Sequence, residues 1–331
     1  MTSSLSNSKK IILGGIKMNT LTALFENEIE TFNNGSEALP PANGPINTII
    51  LGDALSVLKT LPNELVDCIV TSPPYYNLRD YDVEDQLGRE NTPEEYIDKL
   101  VAVFHEAHRT LSNSGTLWLN LGDTMSKKQL LGIPWRVALA LQSDGWNLIQ
   151  DIIWAKPNPM PESVKKRCTK SHEHIFLLSK SNDYYFDNES IKEPAKTVST
   201  NDSFKPNSEK DKLSAFKTCA TGASSNNRTN RIYEYRNKRD VWTVAVHSFR
   251  EAHFATFPEK LILPCVLAGS PKGGLVYDPF MGAATTAVVA IKNDRNYLGS
   301  ELNPVYIKIA NNRIRNLSLN KKNEIKIKGE K

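Results

Sequence analysis

The sequence predicts an α/β fold: a mostly parallel, twisted sheet covered by helices on both faces. Two observations predict it. Short apolar runs of strand length alternate with segments of helical spacing over residues 46–187, and again over 238–318. Between them, 188–237 is polar, weakly periodic and rich in Asn, Ser and Thr, so it reads as an insertion.

Residues 1–45 form an N-terminal tail. They hold the breaker clusters Asn33-Asn34-Gly35, Pro40-Pro41 and Asn43-Gly44-Pro45, with one short helix near 21–32 and an alternative start at Met18. The regular pattern begins with a buried strand at 47–51, closed by Gly52-Asp53, and a short helix over 54–61. A second strand, 66–70, runs directly into Thr71-Ser72-Pro73-Pro74-Tyr75. Thr92 is placed to cap a helix over 93–111, since its hydroxyl can accept an orphan amide hydrogen. A strand at 115–121, a helix at 134–144 closed by Gly145, and strands at 146–154 and 173–179 complete the first half. The second half reads as helix 258–268, strand 274–278, helix 285–293, strand 297–301 and helix 304–317. A Lys-rich C-terminal tail, 319–331, follows and is expected to fray.

Composition narrows the class. Hydrophobic residues are 40% of the 331, enough for a sizeable core. The longest apolar runs, such as 137–141 and 287–291, are too short to span a bilayer, and the polar first ten residues carry no secretory stretch. A cytoplasmic protein without a membrane partner is expected. The four cysteines form no CxxC pair, in keeping with a reducing compartment. Cys168, His172 and His174 lie close together, but no second cluster completes a four-ligand set, so no metal is expected. The net charge of +4 is mild, yet residues 156–240 hold 17 Lys or Arg against 11 Asp or Glu. Such a stretch suits a nucleic-acid face or a solvated insertion.

Val276-Tyr277-Asp278-Pro279-Phe280-Met281-Gly282-Ala283-Ala284-Thr285-Thr286 reads as a strand, a small-residue turn and a helix start. Small residues let backbone approach a ligand at the carboxyl end of a strand, and Thr285 or Thr286 can cap the helix. About 20 residues on, the next strand ends in Glu301, placed to accept from ribose hydroxyls. The turn is not GxGxxG and no Walker lysine exists, which weakens nicotinamide and ATP readings. After Glu301 only one helix follows, and the strand ending at Gly52-Asp53 fits the role of supplying the next cofactor contact. The chain thus looks circularly permuted. Asp53 either reaches an adenine amino group or merely caps the following helix.

Thr71-Ser72-Pro73-Pro74-Tyr75 sits at the same rim. Two prolines fix φ twice and bias Ser72 toward an extended backbone. Neither proline has an N–H, so Ser72 Oγ and the Pro73 carbonyl can each accept one hydrogen of an amino group. Pro74 stiffens the loop, and Tyr75 offers a face for stacking an extruded base, worth roughly 1–3 kcal/mol.

These motifs resemble those of the amino-methylating DNA methyltransferases of prokaryotic restriction–modification systems, in the permuted β group. Residues 71–75 match the family's (Asp/Asn/Ser)-Pro-Pro-(Tyr/Phe) loop, and 278–282 match the start of its cofactor motif. Residues 253–261 match the segment just before that motif, and Arg239-Asp240-Val241-Trp242 and His172-Glu173-His174-Ile175 match two further fixed points. The resemblance covers about 47–188 and 238–316. It implies a Rossmann-like S-adenosylmethionine-dependent methyltransferase fold, circularly permuted, with 188–237 as an inserted target-recognition region. It implies S-adenosylmethionine bound by Asp53, Thr71, Phe257, Asp278, Pro279, Phe280, Gly282, Thr285 and Glu301, with Phe257 against the methionine part. Double-stranded DNA is the implied partner. A cognate endonuclease, and the choice between monomer and homodimer, stay open. Two positions depart from the family: its Gly-Ser-Gly-Thr-Thr turn is Gly282-Ala283-Ala284-Thr285-Thr286 here, and a family proline is Phe254.

Ser72 at the variable position looks like the cytosine-N4 branch, where Asp is commoner for adenine-N6. Methylation of a protein glutamine amide also uses such a loop but does not predict a basic insertion. A non-catalytic DNA-binding protein would transfer no methyl group. Lys156, Lys165, Lys166 and Arg167 are candidate phosphate contacts, and Arg228, Arg231 and Arg236 candidate readers of guanine edges.

Overall fold

The computed structural model describes residues 44–80, 83, 86–195, 234–246 and 256–329. The tail helix expected near 21–32, and most of the 188–237 insertion, lie outside the described residues.

In chain order the elements are β1 (Thr48–Leu51), α1 (Ala54–Thr60), β2 (Val66–Thr71), α2 (Pro93–Thr110), β3 (Leu111–Leu121), the small pair β4 (Met125–Ser126) and β5 (Gln129–Leu130), and α3 (Ile133–Ser143). β6 (Asn147–Ala155), β7 (His172–Ser179), β8 (Glu193–Pro194), β9 (Tyr235–Arg236) and β10 (Val241–Thr243) follow. Then come α4 (Glu259–Gly269), β11 (Leu275–Asp278), α5 (Thr285–Lys292), β12 (Asn296–Glu301) and α6 (Pro304–Gly329). Among the described residues no helix is long and apolar enough to cross a membrane.

Eight strands form one sheet in the order β1-β12-β11-β2-β3-β7-β6-β10. Every neighbouring pair is parallel except β3–β7 and β7–β6, so β7 alone runs backwards. The first strand in sequence lies beside the last, with Leu51 paired to Glu301, and β11 lies beside β2. This is the permuted order that the two ends of the sequence imply.

Both sheet faces are covered, because alternate residues of one strand enter different cores. Ile69, Leu117, Leu119 and Tyr277 pack with α1, α2 and α3, through Leu58, Leu100, Phe104 and Val137. Cys68, Val70, Trp118 and Val276 pack with α4 and α5, through Leu261, Val266, Ala287 and Val289. Central strands buried on both sides read as continuous apolar runs. Helix α2 starts as expected: Thr92 Oγ1 accepts from Glu95 N at 3.2 Å and Pro93 occupies the first turn.

Besides the short β4–β5 and β8–β9 pairs, three spans differ from the sequence pattern. β3 starts at Leu111, ahead of the turn-like Ser112-Asn113-Ser114, because Leu111 pairs with Val66 across a register shift. The sheet gains β10, a three-residue strand beside β6 that is too short for periodicity to reveal. α6 continues to Gly329 instead of ending at Leu317, since Lys and Glu are good helix formers even without an apolar face.

Candidate active site

One cavity of ≈ 280 Å³ opens where β1, β12, β11, β2 and β3 end, the place where open α/β sheets bind ligands. Asp53, Asp278, Pro279, Phe280, Gly282, Thr285, Glu301 and Phe257 line it, together with Ser72, Pro73, Pro74 and Tyr75. Thr71 stands just behind, at the end of β2.

On the β1–β12–β11 side, three carboxylates are held mainly by backbone amides and hydroxyls. Asp53 Oδ1 accepts from Ser56 N at 2.9 Å, so it does cap α1, while Oδ2 has no protein partner among the described residues. Both readings of Asp53 are therefore compatible: one oxygen caps and the residue still lines the cavity. Glu301 accepts from Gly282 N at 2.7 Å and from Asn303 N at 2.8 Å; burial nevertheless raises its pKa.

Asp278 is enclosed, only 1% exposed. It accepts from Thr71 Oγ1 at 2.6 Å, Phe280 N at 3.0 Å and Thr286 Oγ1 at 2.7 Å. Burial pushes its carboxyl up to about 6, against the pull of these hydrogen bonds, and the charge of Glu301 adds to the rise. Asp278 thus ties the small-residue turn to the start of the Ser72 loop.

Neither Thr285 nor Thr286 caps α5, contrary to expectation. The N-cap position falls on Ala284, which has no side-chain oxygen and sits at φ 60°. Thr286 is engaged by Asp278, and Thr285 Oγ1 accepts from Arg313 at 2.9 Å. Left-handed backbone at an alanine costs about 1 kcal/mol, which glycine at that position would avoid.

On the β2–β3–β6 side, the groups are side chains. Tyr96, on α2, donates to the Pro74 carbonyl at 2.8 Å and braces the double-proline loop. Two glycines make room for Tyr75. A Cβ at Gly122 would stand 2.6 Å from its ring, and one at Gly88, where φ is +94°, would stand 2.9 Å from its carbonyl oxygen. The Tyr75 hydroxyl donates to Glu173 Oε2 at 2.7 Å and accepts from Ser72 Oγ at 3.2 Å. Asn120 Nδ2 lies 2.6 Å from Tyr75 Oη, 3.0 Å from Glu173 Oε2 and 3.3 Å from Ser72 Oγ. Lys156 Nζ pairs with Glu173 Oε1. Burial alone would raise the Glu173 carboxyl; Lys156 and the hydrogen bonds from Lys156, Tyr75 and Asn120 bring it below the usual range. Burial and the Glu173 charge hold the Tyr75 phenol well above its ordinary value, so it stays a protonated donor.

Sequence reasoning misses Asn120 and Glu173. Asn120 carries a faint signal: it is the polar residue in the apolar run 117–121, at a strand's carboxyl end. Glu173 is marked only as part of the family-like stretch His172-Glu173-His174-Ile175, with no site role, because it begins a strand. Only the reversal of β7 brings that beginning to the rim, opposite Trp154.

Lys156 is not on an outer surface, where a phosphate contact would place it. It lines the cavity, with Nζ 4.3 Å from the Trp154 ring centroid. Lys165 and Lys166 are exposed, as expected of phosphate contacts, but do not join the cavity. Arg167 pairs with Glu162 at 2.7 Å and Arg236 with Glu193 at 2.9 Å. Arg228, Arg231 and residues 253–255 lie outside the described residues, whereas Thr256 and Phe257 line the cavity. Among the described residues, no three His, Cys, Asp or Glu side chains group as a metal site.

The family model for DNA methylases of the N6/N4 type matches residues 66–312. The type II methyltransferase M.Cfr9I of Citrobacter freundii is 43% identical over 296 residues, spanning 81% of this chain and 87% of its own. M.SmaI of Serratia marcescens is 40% identical over 317 residues, spanning 87% and 97%. Among solved structures, PvuII DNA methyltransferase (cytosine-N4-specific) shares the fold at a TM-score of 0.58 and 19% identity, covering 80% of this chain and 85% of that one. A putative DNA modification methylase from Thermus thermophilus, complexed with S-adenosyl-L-methionine, gives a TM-score of 0.54 at 24% identity, covering 81% and 92%.

Proposed function

The chain belongs to the N6/N4 DNA methylase family, and from that premise we propose that it methylates the exocyclic N4 of cytosine in double-stranded DNA, using S-adenosylmethionine, within a restriction–modification system. The family sets aside the protein-glutamine reading.

The cavity suits the cofactor. Its β1–β12–β11 side offers carboxylate acceptors at two strand ends, Asp53 and Glu301, for an amino group and for ribose hydroxyls. Phe257 and Phe280 give apolar wall. S-adenosylmethionine, when bound, supplies the methyl group on a sulfonium. Asp278 acts on it indirectly, by fixing the turn against Thr71.

The observation that carries the reading is the direction of the hydrogen-bond chain at Ser72. A carboxylate only accepts, so Glu173 takes the Tyr75 hydrogen, and the Tyr75 oxygen takes the Ser72 hydrogen. Ser72 Oγ, which also accepts from Asn120 Nδ2 at 3.3 Å, is then left with one lone pair for an incoming amino hydrogen, and the Pro73 carbonyl can take the other. Held by both hydrogens, the amino nitrogen turns its lone pair toward the methyl donor. This is catalysis by positioning. A base in duplex DNA must leave the stack to reach it, and Tyr75 is the aromatic wall for that base. The 188–237 insertion holds the target-recognition determinants, and Lys165, Lys166, Arg167, Arg228, Arg231 and Arg236 face the DNA. Ser72 favours cytosine over adenine, and PvuII methyltransferase, which shares the fold, carries cytosine-N4 specificity in its name.

Tritiated S-adenosylmethionine tests this with DNA and protein substrates side by side. DNA should be labelled. Ser72→Ala should lower turnover about 100- to 1,000-fold, the scale of losing one preorganised polar contact, while cofactor affinity measured by calorimetry is kept. Full turnover in that variant would remove Ser72 from the mechanism.

A further inference from the structure

Three side chains beside Ser72 have no part in holding the amino group, yet they form one wall of the same cavity: Lys156, Glu173 and Asn120. Their hydrogen-bonding capacities are unevenly filled. Glu173 is well supplied, with Lys156 on Oε1 and Tyr75 and Asn120 on Oε2. Lys156 is not: an ammonium has three hydrogens, and among the described residues only Glu173 accepts from it. Asn120 Oδ1 is also open. It is buried and has no hydrogen-bond partner among the described residues, in a residue only 4% exposed. Turning the amide over would not help, because Oδ1 would then face the Glu173 carboxylate and the Tyr75 oxygen. A buried acceptor left without a donor is unusual and unfavourable. The wall therefore keeps one unfilled acceptor buried within it and presents one cationic donor, with two spare hydrogens, to whatever enters.

Resting on the reading of the chain as a cytosine-N4 methyltransferase, we infer that Lys156 reads the ring edge of the flipped base and makes the pocket selective for cytosine over adenine. Cytosine presents, in order along one edge, its amino group, the N3 acceptor and the O2 carbonyl. Ser72 and the Pro73 carbonyl take the amino hydrogens, and Lys156 donates to the acceptors beyond. Adenine presents an amino group and N1, but a C–H where cytosine has O2. A partly buried ammonium facing C–H loses a charge-assisted hydrogen bond and gains nothing in return. Glu173 and the Trp154 ring hold the ammonium in place, and Glu173 keeps the wall near neutral, which admits a neutral base. A lysine serving a phosphate would instead stand exposed, as Lys165 and Lys166 do.

The test uses the full-length protein with S-adenosylhomocysteine, so that binding is measured without turnover. Its probes are three duplexes carrying the site found by sequencing DNA that the wild-type protein has methylated. One has the target cytosine, one has adenine in its place, and one has an abasic site there. Lys156→Met should weaken binding of the cytosine duplex at least tenfold. It should leave the abasic duplex within twofold and the adenine duplex within threefold. Equal loss on the cytosine and abasic duplexes would identify a phosphate contact or a structural role, and would overturn the inference, as would no loss on either. Equal loss on cytosine and adenine would overturn the selectivity. Lys156→Arg should keep most of the cytosine preference. If Lys156→Met does not fold, because Glu173 is left buried and unpaired, Lys156→Gln, which keeps a neutral donor toward Glu173 but removes the charge, meets the same three duplexes with the same criteria. Failure of the functional reading looks different: wild-type protein that labels no DNA, or that leaves N6-methyladenine, would refute that reading before any variant is made.

Discussion

The two sides of the cavity handle buried charge in opposite ways. At the ends of β1, β11 and β12, carboxylates are held by backbone amides and hydroxyls, with no cation bonded to them among the described residues, and burial raises Asp278 and Glu301. At the ends of β2, β3 and β6, Glu173 is equally enclosed but has an ammonium and two side-chain donors, and its carboxyl falls below the usual range. One side is built from a continuous turn and its own amides. The other is assembled from side chains of the loop after β2, of β3 and β7, and of the residue after β6. The first suits a cofactor that must bind and leave with every turnover; the second fixes the polarity of a hydrogen-bond chain that must not reverse.

The sharpest way to break this comparison is at Glu173. Glu173→Gln offers the site a donor where three donors already converge, so the Ser72–Tyr75 chain loses its direction. A hydrogen bond to a charged group is worth about 1.5–3 kcal/mol, so turnover on DNA should fall roughly 10- to 100-fold, with affinity for S-adenosylmethionine within twofold. A variant that loses cofactor affinity instead would show the two sides to be one unit.

Asp278 gives the smaller effect, of opposite pattern. Asp278→Asn should weaken cofactor binding about tenfold, the loss expected for one tie of about 1.4 kcal/mol. It should also change how stability depends on pH. The raised Asp278 carboxyl, about 6 against an ordinary 3.8, gives stability that is complete below 3.8 and is lost as pH rises through about 6. Ligand-free wild-type protein should lose of order 1–3 kcal/mol from this group across that window. Urea unfolding of D278N between pH 4 and 6.5 should show a flatter profile. Glu173 has the reverse sign: its contribution is present above the ordinary glutamate value and is lost on acidification below it. An unchanged slope in D278N would contradict the account of the cofactor side.

The same contrast explains what could be read from the sequence. Asp278 to Thr286 is one contiguous stretch, and Glu301 and Asp53 each close an apolar strand, so the cofactor side is visible as motifs in a strand–turn–helix pattern. Nearly every helix and strand of the sheet follows from the same periodicity. On the base side, only Ser72-Pro73-Pro74-Tyr75 can be given its role from the sequence. Asn120, Lys156 and Glu173 reach that loop through tertiary pairing, and Glu173 does so because one strand runs backwards, which no local pattern encodes. Lys156 is misplaced by the sequence for a related reason. In a basic stretch it is indistinguishable from Lys165 and Lys166 until its ion pair with Glu173 is known. The expected threonine cap of α5 fails on a shift of one residue, which puts an alanine at the cap.

The central claim is that Ser72 presents an amino group of DNA cytosine to S-adenosylmethionine. Digesting DNA methylated by the purified protein, and identifying the modified nucleoside by mass spectrometry, tests it most directly. The account predicts N4-methyldeoxycytidine with wild-type protein and its near-absence with Ser72→Ala. N6-methyldeoxyadenosine, or the same product in both, would contradict it.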